Sequence, residues 1–252
     1  EAEPGADDVC IHRKVRRTVA LEGVHVQFGR ADAPLLRDVD LTIDVAAGES
    51  IAIVGASGSG KSSLLKILAS LHEPAAGRVS VDGAALQQFG RWEFRANLGV
   101  VFADDGVFAG TVADNLALFD PSVTRAQMER ALDQVGLREA VEALPQDFAT
   151  LIAEESGLLS TGQRRRLLIA RALCRQPRLL LLDEVTANLD PDTERSLIDS
   201  LRRVKAAKVY VTHSRQVLAG VDRVLRIHEG RLVTERQLDR SATDAAPVPV
   251  PA

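Results

Sequence analysis

Cysteine is scarce in this chain of 252 residues: two in all, Cys10 and Cys174. Neither has metal-ligand spacing, so a disulfide framework and a cysteine metal site are both excluded as organising features. Cys174 falls in an apolar helical stretch, where a small core residue is expected. Aromatics make up only 4%, too few for a base-stacking platform. A basic excess is also missing: 31 Lys and Arg face 35 Asp and Glu, for a net charge of −4. No nucleic-acid partner is therefore expected. No apolar run approaches the ~20 residues that cross a bilayer, and no signal-peptide pattern is read, so this chain is not expected to span a membrane itself. Repeats are lacking too.

What is present is ordinary globular composition, 46% hydrophobic and 26% charged. The length suits one large core with an inserted subdomain. The chain starts at Glu1 without a Met and reads as a piece of something longer. Residues 1–18 run from acidic to basic (Arg13, Lys14, Arg16, Arg17) without periodicity, as a linker does. Residues 239–252, with Pro247, Pro249 and Pro251, read as a disordered tail.

Between these ends, Val24, Val26 and Phe28, then Val39, Leu41, Ile43 and Val45, alternate as in half-buried strands. Ser50 to Val54, Leu98 to Phe102, Leu179 to Leu182 and Val209 to Thr212 read as further strands, and Arg78 to Val81 as one leading into an Asp82-Gly83 turn. Ser62 to Ser70, residues from about Thr111 to Leu144, and Arg164 to Cys174 are helical in pattern. This alternation predicts an α/β fold: a core with a mostly parallel sheet, flanked by an antiparallel β subdomain.

Three motifs carry chemistry. Gly55-Ala56-Ser57-Gly58-Ser59-Gly60-Lys61-Ser62 follows a strand and opens a helix, and fits the phosphate-loop pattern. Its glycines let successive N–H groups face phosphate oxygens, and the helix N-terminus adds positive potential. Lys61 is expected on the phosphates and the Ser62 hydroxyl on Mg²⁺, with Ser63 beside it. Leu179 to Leu182 end in Asp183-Glu184. Asp183 is the expected Mg²⁺ partner and Glu184 the general base, provided that the strand end turns sharply enough to aim both at one site. Leu159-Ser160-Thr161-Gly162-Gln163 opens a helix as a second anion site, with Ser160 as its cap. Arg164, Arg165 and Arg166 read as a solvated charged face.

These motifs, in this order, resemble the ATP-binding domains of ABC transporters over roughly residues 19–233. Leu159 to Gln163 is similar to the family's LSGGQ signature, with Thr161 in place of the first Gly. The resemblance implies a P-loop NTPase core over residues 19–238 with an inserted helical subdomain at about 104–165. It also implies ATP and Mg²⁺ as cofactors and a second copy of the chain as partner, whose Ser160, Gly162 and Gln163 would meet the γ-phosphate. Carried over by motif, Phe28 would stack on adenine and His213 would touch the γ-phosphate. Ala187 to Asp190 would contact the partner copy, and Glu154 would face the coupling helices of a transmembrane domain. Residues Asp104 to Asn115 are similar to exporters, most of all peptide and bacteriocin exporters with their own peptidase domain. That places the chain at the cytoplasmic face of a membrane, bacterial and inner. Two departures bear on rate. Ala103 stands where the family has a metal-ligating Gln, and Thr161 crowds a Gly position. The alternative is a nucleotide-gated dimerisation module with little hydrolysis.

Overall fold

A computed structural model describes residues 13–27, 34–153 and 157–237. Phe28, Glu154, Cys10 and the Pro-rich tail lie outside the described residues.

The central sheet has the order β12-β11-β3-β10-β9-β6. Its strands are β3 (Ser50–Val54), β6 (Leu98–Val101), β9 (Leu179–Asp183), β10 (Ala207–Val211), β11 (Arg223–His228) and β12 (Arg231–Gln237). Neighbours are parallel except for the β11–β12 hairpin at one edge. Parallel strands are covered on both faces and so read as unbroken apolar runs, as Leu179 to Leu182 do. Successive side chains point to opposite faces. Accordingly Ile51, Ile53, Leu179, Leu181, Val209 and Val211 join one buried cluster, while Ala52, Val54, Leu180, Leu182 and Tyr210 join another.

The first cluster is closed by helix α1 (Lys61–Leu68), through Leu64, Leu65, Ile67 and Leu68, and by a second, antiparallel sheet. That sheet runs β2 (Leu36–Asp44), β1 (Thr18–Val26), β4 (Ala76–Val81), β5 (Ala84–Ala85). Helices α2 (Leu86–Phe89) and α3 (Arg91–Arg95) follow it. The strand at the start of the fold is anchored by Asp82, in the β4–β5 turn. Its carboxylate accepts from the backbone N–H groups of Arg16, Arg17 and Thr18 at 2.9, 2.7 and 3.0 Å. Burial alone would raise this carboxyl, but those donors and Arg13 hold it below its ordinary value.

The second cluster is helical, with β7 (Gly110–Thr111) paired to β8 (Leu151–Ile152) at its margin. The single helical stretch expected from Thr111 to Leu144 is three helices: α4 (Val112–Ala117), α5 (Arg125–Val135) and α6 (Arg138–Glu142). Leu118 and Phe119 adopt left-handed backbone (φ 52° and 56°) and end α4. Thr124 and Gln127 then form a reciprocal cap for α5, and Gly136 (φ 64°) stops it. The next helix, α7 (Thr161–Leu173), begins three residues earlier than expected. The longer elements without a counterpart in the sequence reading are α8 (Pro191–Arg203), α9 (Arg215–Gly220) and the two strands of the β11–β12 hairpin; the short α2, α3, β5, β7 and β8 have none either.

Arg164, Arg165 and Arg166 do not form a solvated face. All three are half-buried; Arg166 donates to the Val135 carbonyl at 2.5 Å, and Arg165 Nη1 is buried without a hydrogen-bond partner among the described residues. The helix turns this side toward α5, and burial lowers the Arg166 pKa.

Candidate nucleotide site

The C-terminal ends of four adjacent parallel strands meet at one cleft of about 260 Å³. In such sheets the loops beyond the strand ends are where ligands bind. β3 delivers the phosphate loop, β9 delivers Asp183 and Glu184, β10 ends beneath them at Val211, and β6 delivers Ala103.

The loop's shape follows from its glycines. Gly60 has φ 102° and a Cβ there would lie 3.0 Å from Leu36, so only glycine can close the turn into α1. Ser57, Gly58, Gly60, Lys61, Ser62 and Ser63 line the cleft. Gly55 and Ser59 are not on its lining: a Cβ on Gly55 would meet Ser59 Oγ at 2.8 Å, and that hydroxyl is buried with no hydrogen-bond partner among the described residues. Lys61 is buried and folds back, donating from Nζ to the carbonyls of Gly55 at 2.8 Å and Ala56 at 3.0 Å.

Asp183 is only 3% exposed. Burial pushes its carboxyl up, opposed by a hydrogen bond from the Ser62 hydroxyl and by the charge of Lys61. Glu184 sits at the sharp strand end that two adjacent carboxylates require. Its φ is 50°, and its N–H is held by the Val211 carbonyl at 2.9 Å. Burial raises the Glu184 carboxyl as well, opposed by His213, whose Nε2 lies 3.7 Å from Glu184 Oε1.

Ala103 is on the cleft wall. Asp105, one of two neighbours able to replace a missing ligand, is engaged elsewhere: its Oδ2 accepts from the Phe102 N–H at 2.8 Å. Asp104 is close enough to Asp183 to raise its carboxyl further. Leu35 and Val211 also line the cleft. No motif marked these two apolar walls in the sequence.

The residues present fit a magnesium nucleotide. The loop offers backbone N–H groups, a lysine and a helix N-terminus for phosphate. Ser62 and Asp183 provide one hydroxyl and one carboxylate, the sparse protein set that Mg²⁺ takes when phosphates and water complete its shell. Among the described residues no cluster of three or more His, Cys, Asp or Glu could hold a metal alone.

Ser160, Gly162 and Gln163 are not among the residues lining the cleft. They form the N-terminus of α7. Ser160 Oγ accepts from the Gln163 N–H at 3.2 Å, and Gln163 Oε1 accepts from the Ser160 N–H at 2.8 Å. Gly162 packs against α8, since a Cβ there would fall 2.9 Å from Thr193 Cγ2, whereas Thr161 is exposed.

This strand-end phosphate loop, paired carboxylates and separate anion-ready helix define an ATP-binding domain of a P-loop ATPase. The family described as ABC transporter matches residues 36–187, and the chain belongs to it. The chain is 35% identical over 236 residues to an ATP-dependent lipid A-core flippase of Chromohalobacter salexigens, covering 92% of this chain and 40% of that protein. It is 31% identical over 233 residues to a colicin V secretion/processing ATP-binding protein of Escherichia coli, covering 87% and 33%. Its fold is similar to that of a bacterial Atm1-family ABC exporter with ATP bound, with a TM-score of 0.77 and 31% identity, over 86% of this chain and 38% of that one. The chain thus spans 40% or less of the length of these three proteins. No helix among its described residues is long and apolar enough to cross a membrane.

Proposed function

We propose that the chain is the motor of an exporter, in which two copies close around two Mg-ATP and closure moves the membrane domains. The observation that carries this is the separation of Ser160, Gly162 and Gln163 from the cleft of their own chain. A second copy related by a two-fold axis would lay its α7 N-terminus over the open side. In this reading Lys61 and the loop N–H groups hold the phosphates, and Ser62 and Asp183 hold Mg²⁺. The nucleotide supplies the phosphoanhydride bond that is cleaved. Glu184 accepts the proton of the attacking water, and His213 steadies it from 3.7 Å. Phe28 would cover the base.

In this reading the exposed Leu118, Phe119 and Leu151 meet membrane domains at the cytoplasmic side of the bacterial inner membrane, and Glu154, outside the described residues, is the acidic residue expected to take part. We assign a peptide cargo on the similarity to the colicin V secretion protein and on residues 104–115. The domain limits proposed are 19–238 for the ATPase and about 104–165 for its helical part. A second reading, a dimerising switch with little hydrolysis, is favoured by the methyl group of Ala103 on the cleft wall and by Thr161 at the α7 N-terminus.

The test is Glu184→Gln in saturating Mg-ATP. The variant is expected to run as a dimer in size-exclusion chromatography with light scattering, and as a monomer without nucleotide. A monomer under both conditions at high protein concentration contradicts the shared site.

A further inference from the structure

We propose that a basic groove at the opposite end of the central sheet from the nucleotide cleft binds a polyanion of phosphate groups. The groove, about 780 Å³, is lined by Arg13, Lys14, Arg16, Arg17 and Arg178 against a single carboxylate, Asp82. Arg178 immediately precedes β9, and Asn97, which ties the groove's floor, immediately precedes β6. Both are strand N-terminal ends, whereas the nucleotide cleft is built at C-terminal ends. The two sites are therefore distinct.

The cations are held on a fixed backbone. Val15 is buried, with its N–H on Asn97 Oδ1 at 3.0 Å and its carbonyl on Arg178 Nε at 3.2 Å. Asn97 Nδ2 holds the Arg13 carbonyl at 2.8 Å. With Val15 turned inward, Arg13, Lys14, Arg16 and Arg17 are left exposed on either side of it. Asp82 does not neutralise them by direct pairing, because its two oxygens accept three backbone N–H groups. None of the five cations forms an ion pair with a carboxylate among the described residues. The Arg13 guanidinium instead lies over the Phe89 ring, 4.5 Å from its centroid.

In a chain of net charge −4, such a concentration of positive charge is local. Like charges lining one groove repel one another, and a multivalent anion relieves several of them at once. Guanidinium forks match phosphate oxygens in pairs. No aromatic side chain lines the groove, and Phe89 is buried beneath Arg13, so the site has no platform for a base. Phosphate groups, from a soluble polyphosphate or from anionic lipid headgroups, are the chemistry it fits.

The test uses the full chain carrying Lys61→Ala, so that the phosphate loop does not contribute. Calorimetric titration with inorganic tripolyphosphate is expected to show one site, at least tenfold weaker for monophosphate and weaker as salt rises. Adding Arg16→Glu and Arg17→Glu should weaken tripolyphosphate at least tenfold while the thermal transition stays in place. If that variant unfolds, Arg16→Gln with Arg17→Gln serves instead. Co-sedimentation with phosphatidylglycerol vesicles, lost in the same variant, would assign the groove to headgroups; tripolyphosphate binding without co-sedimentation would assign it to soluble polyphosphate. Binding of neither probe, or equal binding by the charge-altered variant, overturns the proposal.

Discussion

Ala103 is the residue at which chemistry and binding should part. A methyl group neither ligates a cation nor orders water, yet it takes nothing from the phosphate loop. Phosphoryl transfer depends on positioning, so the loss falls on the chemical step. Ala103→Gln is expected to raise ATP turnover severalfold with little change in ATP affinity, measured at saturating Mg-ATP and at dimer-forming concentrations. With Asp105 held by the Phe102 N–H, only Asp104 is placed to substitute. An unchanged rate would point there. Glu184 gives the second residue-scale prediction. Burial raises its carboxyl above the ordinary 4.5, and a proton acceptor works only when ionised. Turnover should therefore fall with decreasing pH through a midpoint above 4.5, an acid limb that Glu184→Gln lacks. At this scale the sequence was informative where function is contiguous. Gly55 to Ser63 could be read as one string, whereas Leu35, just before β2, and Val211, at the end of β10, reach the cleft wall from separate parts of the chain and carry no motif.

Among the elements, the β4–β5 turn holds the start of the fold. Asp82 takes three N–H groups and sits at φ 53°, a conformation that Asp tolerates better than most residues. Asp82→Ala leaves those donors to water and adds strain, for a cost of about 1–3 kcal/mol. A drop of several degrees in Tm is expected at pH 7. The pH dependence has a definite sign. The carboxyl lies below its ordinary 3.8 in the folded state, so its contribution is complete above 3.8 and lost as pH falls through the lower folded value. The gap between wild type and variant should narrow in strong acid to the part due to backbone strain at φ 53°; a gap that does not narrow would rule out the carboxylate. The elements that the sequence hid are instructive. The capping pair Thr124 and Gln127 was visible as T-x-x-Q, and Leu116 and Met128 are 12 residues apart and so about 120° out of helical phase, but reading one continuous stretch passed over both signs of a break. β12 is almost wholly exposed, so it carries little alternation by which to be recognised. Helix α8 announces itself by Asp190 as cap and Pro191 at its first turn.

For the molecule as a whole, the central sheet is assembled out of sequence. β3 lies between β10 and β11, and β9 lies outside β10. A chain ending at Ala206 would leave β3 without either neighbour and expose the apolar rows of Leu179 to Leu182. Such a chain is expected to lack a cooperative thermal transition by circular dichroism, whereas the chain through Gln237 retains one. A sharp melt of the shortened chain would show that the antiparallel sheet and helices suffice. The same strand order fixes a schedule for synthesis. Residues 55–206 must leave the ribosome before Ile51, Ala52, Ile53 and Val54 can meet their first partner strand. At ~5–20 residues per second, that is roughly 8 to 30 s during which the strand has α1 and the antiparallel sheet to pack against but no partner strand. A strand buried from Ile51 to Val54 in the finished protein thus waits with its backbone N–H and C=O groups unpaired during its making.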